Sequence, residues 1–201
     1  PYWYETISLL RKEFPGCKVI YDVLDFFEGF SDLAKNKVIL NKYHQKLLQE
    51  ADLITYTAKM MLEDSFVPSH SHYLPNACNP MVWNRTSKGN KIGYFGAIAN
   101  WFDFRILPIL LEKYEVDLIG HISFPIEEHP NLRTLGVLSH QEIVKRSEEW
   151  RVGIIPFLDV PVTKYTDPVK LYEMMALDLP IVSTDLKEIN SLCKQIPTEI
   201  R

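Results

Sequence analysis

Short apolar runs alternate with stretches of helical periodicity along most of the chain, the pattern of strands and helices in a parallel α/β sheet. An amphipathic helix is predicted from about Trp3 to Phe14, stopped by Pro15 and Gly16. A strand over Lys18 to Tyr21 follows, then a long helix from about Ser31 to Glu50 and a second strand over Leu53 to Thr57. Thr57 is suited to cap a short helix over Ala58 to Asp64, and Ser71 to Leu74 reads as one more brief strand. The segment Asn76 to Asn90 mixes Asn, Pro, Gly, Ser and Thr with charge, which is linker composition and places a domain boundary between residues 85 and 86. Residues 1–85 and 86–201 are the two expected domains.

The second set opens on a strand over Lys91 to Phe95, a Gly96-Ala97 turn and a helix from Asp103 with apolar positions at Phe104, Leu107, Leu110, Leu111 and Tyr114. Further strands are predicted at Val116 to Ile119, Leu132 to Leu135, Gly153 to Phe157 and Ile181 to Ser183. Helices at about His140 to Trp150 and Pro168 to Leu177 fall between them. Right-handed crossovers would make one doubly wound sheet of this set.

Composition narrows the classes of partner. A net charge of −4, with both signs scattered, gives no basic field for nucleic acid. Cys17, Cys78 and Cys193 are too few and too far apart for a disulfide framework or a CxxC metal site, and read as reduced, cytosolic thiols. No run approaches the roughly 18 apolar residues that span a bilayer. The chain opens at Pro1 without Met and stops at Arg201 just after a helical pattern, which reads as a piece of a longer protein.

In an open parallel sheet ligands bind at the carboxyl ends of the strands. Gly96, Gly120 and Gly136 each follow a predicted strand there, where a missing side chain lets a ligand reach the backbone. Any one of them alone could make only a tight turn; three together favour a site. Asp167 is a good N-cap and Pro168 suits the first helical position, so the helix they open would present free N–H groups to phosphate. Lys170 and Glu173 share one face of that helix, a cation for a diphosphate and a carboxylate for a neighbouring diol; a surface ion pair is the alternative reading of this spacing. The helix ends in Leu177-Asp178-Leu179, a turn usually given to glycine.

Several segments in this order resemble the glycosyltransferases of the GT-B fold, in particular the retaining group-1 (GT4-like) family: YDVLDFF at Tyr21, ADLITYT at Ala51, LPNACN at Leu74, IGYFGAIANWFD at Ile92, VDLIGHIS at Val116, NLRTLGVLS at Asn131, VGIIPF at Val152 and DPVKLYEMMALDLPIVSTD at Asp167. The resemblance implies two Rossmann-like α/β domains with doubly wound parallel sheets, the N-terminal one truncated. Residues 1–85 would be the end of the acceptor domain and 86–201 most of the donor domain.

The implied activity is transfer of a hexose from a nucleoside diphosphate sugar to a glycan or lipid-linked acceptor in cell-surface polysaccharide synthesis, with retention and with no metal or other cofactor. A nucleotide-sugar 2-epimerase and a non-catalytic nucleotide-sugar-binding module are the alternatives. Lys170, at the catalytic position, would take the diphosphate and Glu173 the ribose; Gly96, Ala97 and Ile98 would lie near the phosphates and sugar, and Gly136, Val137 and Leu138 near the base. Thr166 and Asp167 complete the implied donor site. Tyr165 stands where the family carries a sugar-contacting carboxylate, which leaves the sugar open. The implied location is cytoplasmic, at the inner face of the membrane, with peripheral association through the N-terminal region.

Other residues carry less. Asp22 and Asp25 read as structural or cleft-lining rather than as a metal pair, and His70 and His72 lack a third ligand. His121 lies on the rim after Gly120. Trp101, Phe102 and Phe104 suit either stacking on a sugar or packing at a helix start.

Overall fold

The computed structural model describes residues 4–30, 35–79 and 89–194. The chain forms two compact units, residues 1–75 with Val160–Asp167, and Asn76–Asp159 with Pro168–Arg201. The expected boundary at residues 85 and 86 lies outside the described residues.

The first unit runs α1 (Tyr4–Glu13), β1 (Ile20–Val23), a 3-10 turn (Phe27–Gly29), α2 (Lys37–Glu50), β2 (Leu53–Tyr56), α3 (Lys59–Glu63) and β3 (His72–Tyr73). Its strands pair in parallel in the order β1-β2-β3. The ladder starts two residues later than the apolar run of β1 suggests, because the Asp52 carboxylate accepts the Val19 N–H at 2.9 Å and ties that residue to the entry of β2. The same carboxylate pairs with Lys18 and Arg11, and these donors hold its pKa down at about 2.

Two expectations need correction here. Thr57 does not cap α3: its hydroxyl donates to the Leu24 carbonyl at 2.8 Å, across the sheet, and Ala58 takes the cap position. The long helix begins at Lys37 rather than near Ser31, whose segment 31–34 lies outside the described residues. Before it, Phe26 and Phe27 turn inward instead, packing edge-on to Phe66 and His44 at centroid separations of 5.0 and 5.4 Å.

His44, on α2, is 1% exposed and stacks on Phe66 at 4.4 Å. Its Nε2 lies 3.2 Å from the Phe66 carbonyl, which can only accept, so Nε2 carries the proton. Nδ1 then accepts from the Tyr21 hydroxyl at 2.7 Å, and the ring is satisfied as a neutral imidazole.

The second unit runs β4 (Lys91–Phe95), α4 (Ile106–Leu111), β5 (Val116–Ile119), β6 (Leu132–Thr134), α5 (His140–Ser147), β7 (Trp150–Ile155), α7 (Val169–Ala176), β8 (Ile181–Ser183) and α8 (Lys187–Cys193); α6 (Pro161–Lys164), a turn of helix that the sequence did not reveal, belongs to the first unit. All five strands are parallel, in the order β6-β5-β4-β7-β8. The order reverses at β4, so the topological switch point lies between β4 and β7. β5 is buried at every residue, and its continuous apolar run follows from having both sheet faces covered.

One charged residue interrupts that run. Asp117 is 0% exposed, yet its carboxylate accepts from Arg133 Nε at 2.9 Å and from the Trp150 indole N–H at 3.0 Å. Burial without those donors would cost several kcal/mol. The indole reaches Asp117 by crossing Gly93, where a Cβ would lie 2.0 Å from the Trp150 ring. Further out, Glu149 takes Lys91, Arg133 and Arg146, with Lys91 foremost in holding its pKa down at about 2.

α7 ends as the Leu177-Asp178-Leu179 turn suggests. Asp178 has a φ of +52°, the Leu179 N–H reaches the Met174 carbonyl at 3.1 Å, and the Asp178 N–H reaches Met175 at 3.0 Å, a Schellman closure. Leu179 and Met174 pack in the core beneath it.

Burial lowers the His44 pKa, so the unfolded chain takes a proton near pH 6.5 that the folded ring refuses. Stability should therefore be full above about pH 6.5 and fall by up to about 1.4 kcal/mol per pH unit below it, until the folded pKa is reached. Urea midpoints between pH 7.5 and 5.5 measure this, and His44→Gln should flatten the slope. Asp178→Gly, which removes a left-handed side chain, should raise unfolding free energy by about 0.5–1 kcal/mol, read in the same urea experiment.

Candidate functional site

The carboxyl ends of β4, β5 and β6 are joined by backbone hydrogen bonds. The Gly96 N–H donates to the Ile119 carbonyl at 2.8 Å, and the Gly120 N–H to the Gly136 carbonyl at 2.7 Å. Gly96 and Gly120 adopt φ of +128° and +136°, which side-chain-bearing residues rarely hold. A Cβ at Gly120 would lie 2.0 Å from the Gly96 carbonyl oxygen, so these strand ends approach as closely as backbone allows.

α7 brings Lys170 onto this edge. Met174, one turn along the same helix, seats it on β7 at Gly153, where a Cβ would meet the Met174 sulfur at 2.7 Å. The Lys170 side chain then crosses Gly96 so closely that a Cβ there would stand 1.9 Å from Cε and 2.4 Å from Nζ. The ammonium sits 5.8 Å from the centre of the Tyr94 ring and 5.7 Å from that of Phe157. Burial pushes the Lys170 pKa down, and the negative charge of Glu173, one turn further along and half-buried, opposes that shift.

The expected cap of α7 needs correction. Pro168, not Asp167, is the N-cap residue, with φ −75° and ψ 107°, and it makes no side-chain cap bond of its own. Asp167 is 1% exposed and belongs to the first unit. The Leu171 N–H bonds back to Pro168 at 2.9 Å, while the Val169 and Lys170 amides begin the helix without intrahelical partners.

The other sequence-derived site residues are distributed as follows. Ala97 is exposed, and its carbonyl accepts the Tyr94 hydroxyl at 2.8 Å. Ile98 is 0% exposed and bridges to Ile122, so its side chain is core and only its backbone lies near the edge. Gly136 has φ +65° and open space around it, Val137 is 78% exposed, and Leu138 packs against the core. Thr166 lies in the first unit, its hydroxyl within 3.4 Å of Asp25 and bonded to the Val162 carbonyl. Thus Gly96, Gly120, Gly136 and Lys170 share one edge, with Glu173 on the same helix as Lys170, whereas Thr166 and Asp167 pack with the first unit.

Tyr165, at the position of the missing carboxylate, donates its hydroxyl to Asp64 at 2.8 Å and packs its ring 4.8 Å from Phe26, all within the first unit. Lys164 pairs with the same Asp64. Asp22 is bonded by the Thr55 hydroxyl at 2.6 Å, and burial raises the Asp25 pKa. Among the described residues no group of three His, Cys, Asp or Glu side chains is placed to hold a metal ion, and no helix is long and apolar enough to cross a membrane.

Sequence reasoning missed Tyr94, Phe157 and Thr184. Tyr94 and Phe157 looked like ordinary strand residues, and the available signal was that Tyr94 lies next to the last residue of β4 and Phe157 just beyond β7, on the two sides of the switch point. The Thr184 hydroxyl donates to the Phe157 carbonyl and fixes it to the end of β8. Of the aromatic cluster, Phe102 is core, edge-on to Tyr94 at 5.0 Å and bridged to Phe157. A hollow of 930 Å³ lies apart from this edge, lined by Ile92, Leu110, Ile154 and Val182 together with Arg151 and Asp178.

No family model matches the chain. It is 22% identical over 225 residues to a Bacillus subtilis protein named "Putative teichuronic acid biosynthesis glycosyltransferase TuaH", covering 96% of this chain and 57% of that protein. It is similar to the crystal structure of Anabaena Alr3699/HepE in complex with UDP and glucose, with a TM-score of 0.65 and 13% identity over 93% of this chain and 58% of that one. The chain therefore spans a little over half the length of either relative. The structural likeness shows the fold: Rossmann-like α/β units with parallel sheets, of the GT-B type.

Proposed function

We propose that the chain is the donor-binding part of a glycosyltransferase that moves a sugar from a nucleoside diphosphate to a glycan or lipid-linked acceptor in cell-surface polysaccharide synthesis. The observation that carries this reading is Lys170: a lysine lies across a bare glycine backbone, beside the switch point of a parallel sheet, with no side-chain carboxylate among the described residues bonded to it. A ligand at that point meets an ammonium, the first amides of α7 and the Gly96 backbone together. Those are the groups a departing diphosphate needs, because its charge grows as the glycosidic bond breaks.

In this scheme Lys170 and the α7 amides stabilise the leaving diphosphate without calling on a metal. Glu173 accepts from the ribose hydroxyls, the exposed Gly136-Val137-Leu138 loop borders the base, and the Gly96-Ala97-Ile98 backbone lines the phosphates and sugar. Thr166 and Asp167 belong to the same proposed donor site, on the segment that leads into α7. The assignment to a retaining, GT4-like hexosyltransferase working in the cytoplasm at the inner face of the membrane rests on the sequence segments quoted above. The TuaH likeness supports the polysaccharide role, and the UDP and glucose held by HepE support a nucleotide sugar as ligand.

Lys170→Ala in the full-length enzyme should cut turnover about 10²- to 10³-fold, the loss typical of removing one donor to a developing anion. A melting temperature still above that of the assay separates this loss from unfolding. Turnover within a factor of two of the unaltered enzyme would remove Lys170 from the chemistry. Thermal shifts with UDP-, GDP- and ADP-sugars identify the base: a donor at 100 times its dissociation constant stabilises by about 2.7 kcal/mol, and no shift with any of them would end the reading.

A further inference from the structure

A lysine ammonium drawn out of water usually takes a carboxylate with it, because an unpaired buried charge is costly. The ion pairs of the second unit fall elsewhere, on Lys91, Arg105, Arg133 and Arg146. Lys170 has two aromatic rings instead, Tyr94 at 5.8 Å and Phe157 at 5.7 Å, both within the reach of a cation–π contact. The geometry points to Tyr94 and Phe157 as positioning residues for Lys170, holding its ammonium over Gly96 without a counter-ion so that the full charge meets an arriving diphosphate. This rests on the donor-site reading above and adds to it the means by which the free protein keeps the lysine in place.

A carboxylate at this point would hold the ammonium as well, but an incoming anion would have to displace it. A ring attracts the cation through its quadrupole and neutralises nothing. Both rings are themselves fixed. Tyr94 is 0% exposed and its hydroxyl bonds to Ala97, so the same residue sets the loop after β4. Phe157 is held by the Thr184 hydroxyl at its carbonyl and stands edge-on to Tyr94 at 6.3 Å. The alkyl stem of Lys170 is confined by the glycine beneath, where any side chain would occupy its path.

Glu173, on the same helix as Lys170, acts on the ammonium by its charge, Tyr94 on β4 faces it with its ring, and the loop after β7 adds the Phe157 ring. Cation–π contact favours the charged lysine, so loss of one ring should let the lysine discharge at a lower pH. Anion binding would then fade sooner as pH rises.

The test is calorimetric titration of the full-length protein with UDP, GDP, ADP and inorganic pyrophosphate from pH 6.5 to 9.5. Phe157→Leu should weaken diphosphate binding about tenfold and move the fall in affinity to lower pH, while Phe157→Tyr, which restores a ring, should recover both. A folded Phe157→Leu with unchanged affinity and pH profile overturns the proposal. Should Phe157→Leu not fold, the unaltered protein decides by NMR. The Lys170 ε-methylene protons, assigned by their loss in Lys170→Met, must resonate upfield of those of the other lysines; an ordinary position overturns the proposal. If Lys170→Met binds every diphosphate as well as the unaltered protein, the donor-site reading fails, whereas the upfield signal still reports on the aromatic seat by itself.

Discussion

The close approach of α7 to the end of the parallel sheet is the constraint around which the second unit is arranged. A helix can come so near only where the sheet offers no side chains, and Gly153 under Met174 and Gly96 under Lys170 supply those two points of contact. One is a packing contact and the other is chemical. Because both lie on one eight-residue helix, Val169–Ala176, the core contact of Met174 sets the height at which Lys170 meets the backbone. Position is thus held by burial, and the polar residue does not have to hold itself in place.

The opposite half of the sheet solves a different problem. Asp117 lies inside it, and its bonds to Arg133 and Trp150 link β5, β6 and β7 across β4. Such a carboxylate fixes which strands lie side by side more than it adds stability, since a buried pair roughly repays its own desolvation. The satisfied carboxylate sits among the strands, while the lysine without a carboxylate stands at their carboxyl ends, where parallel sheets bind ligands.

Much of this was legible from residue order. The β4 and β5 boundaries coincide with their apolar runs because buried parallel strands need no alternation. The three rim glycines, the Lys170–Glu173 spacing and the turn at Asp178 were also legible, each being a local rule of backbone or helix geometry. What sequence did not disclose depends on distant partners. Thr57 is a good cap by type, yet its hydroxyl found the Leu24 carbonyl on a neighbouring strand. Asp167 is a good cap too, but it is buried with the first unit. His44 gave no signal at all, since a histidine on a helix becomes a core residue only when Tyr21 and the Phe66 carbonyl arrive from elsewhere. Tyr94 and Phe157 read as strand hydrophobes because nothing local announces a lysine that comes from more than seventy residues after the first of them.

The return of Val160–Asp167 to the first unit has a meaning in time as well as in space. That unit is not complete when Pro75 has been synthesised, because its last piece follows 92 residues later at Asp167. At about 5–20 residues per second the interval is roughly 5 to 20 s. During that time Phe26 and Phe66 lack Tyr165, and Asp64 lacks both Tyr165 and Lys164. The unit built on residues before Asn76 is therefore finished only after most of the second unit exists, and the eight residues that finish it lead directly into the cap of the helix that carries Lys170.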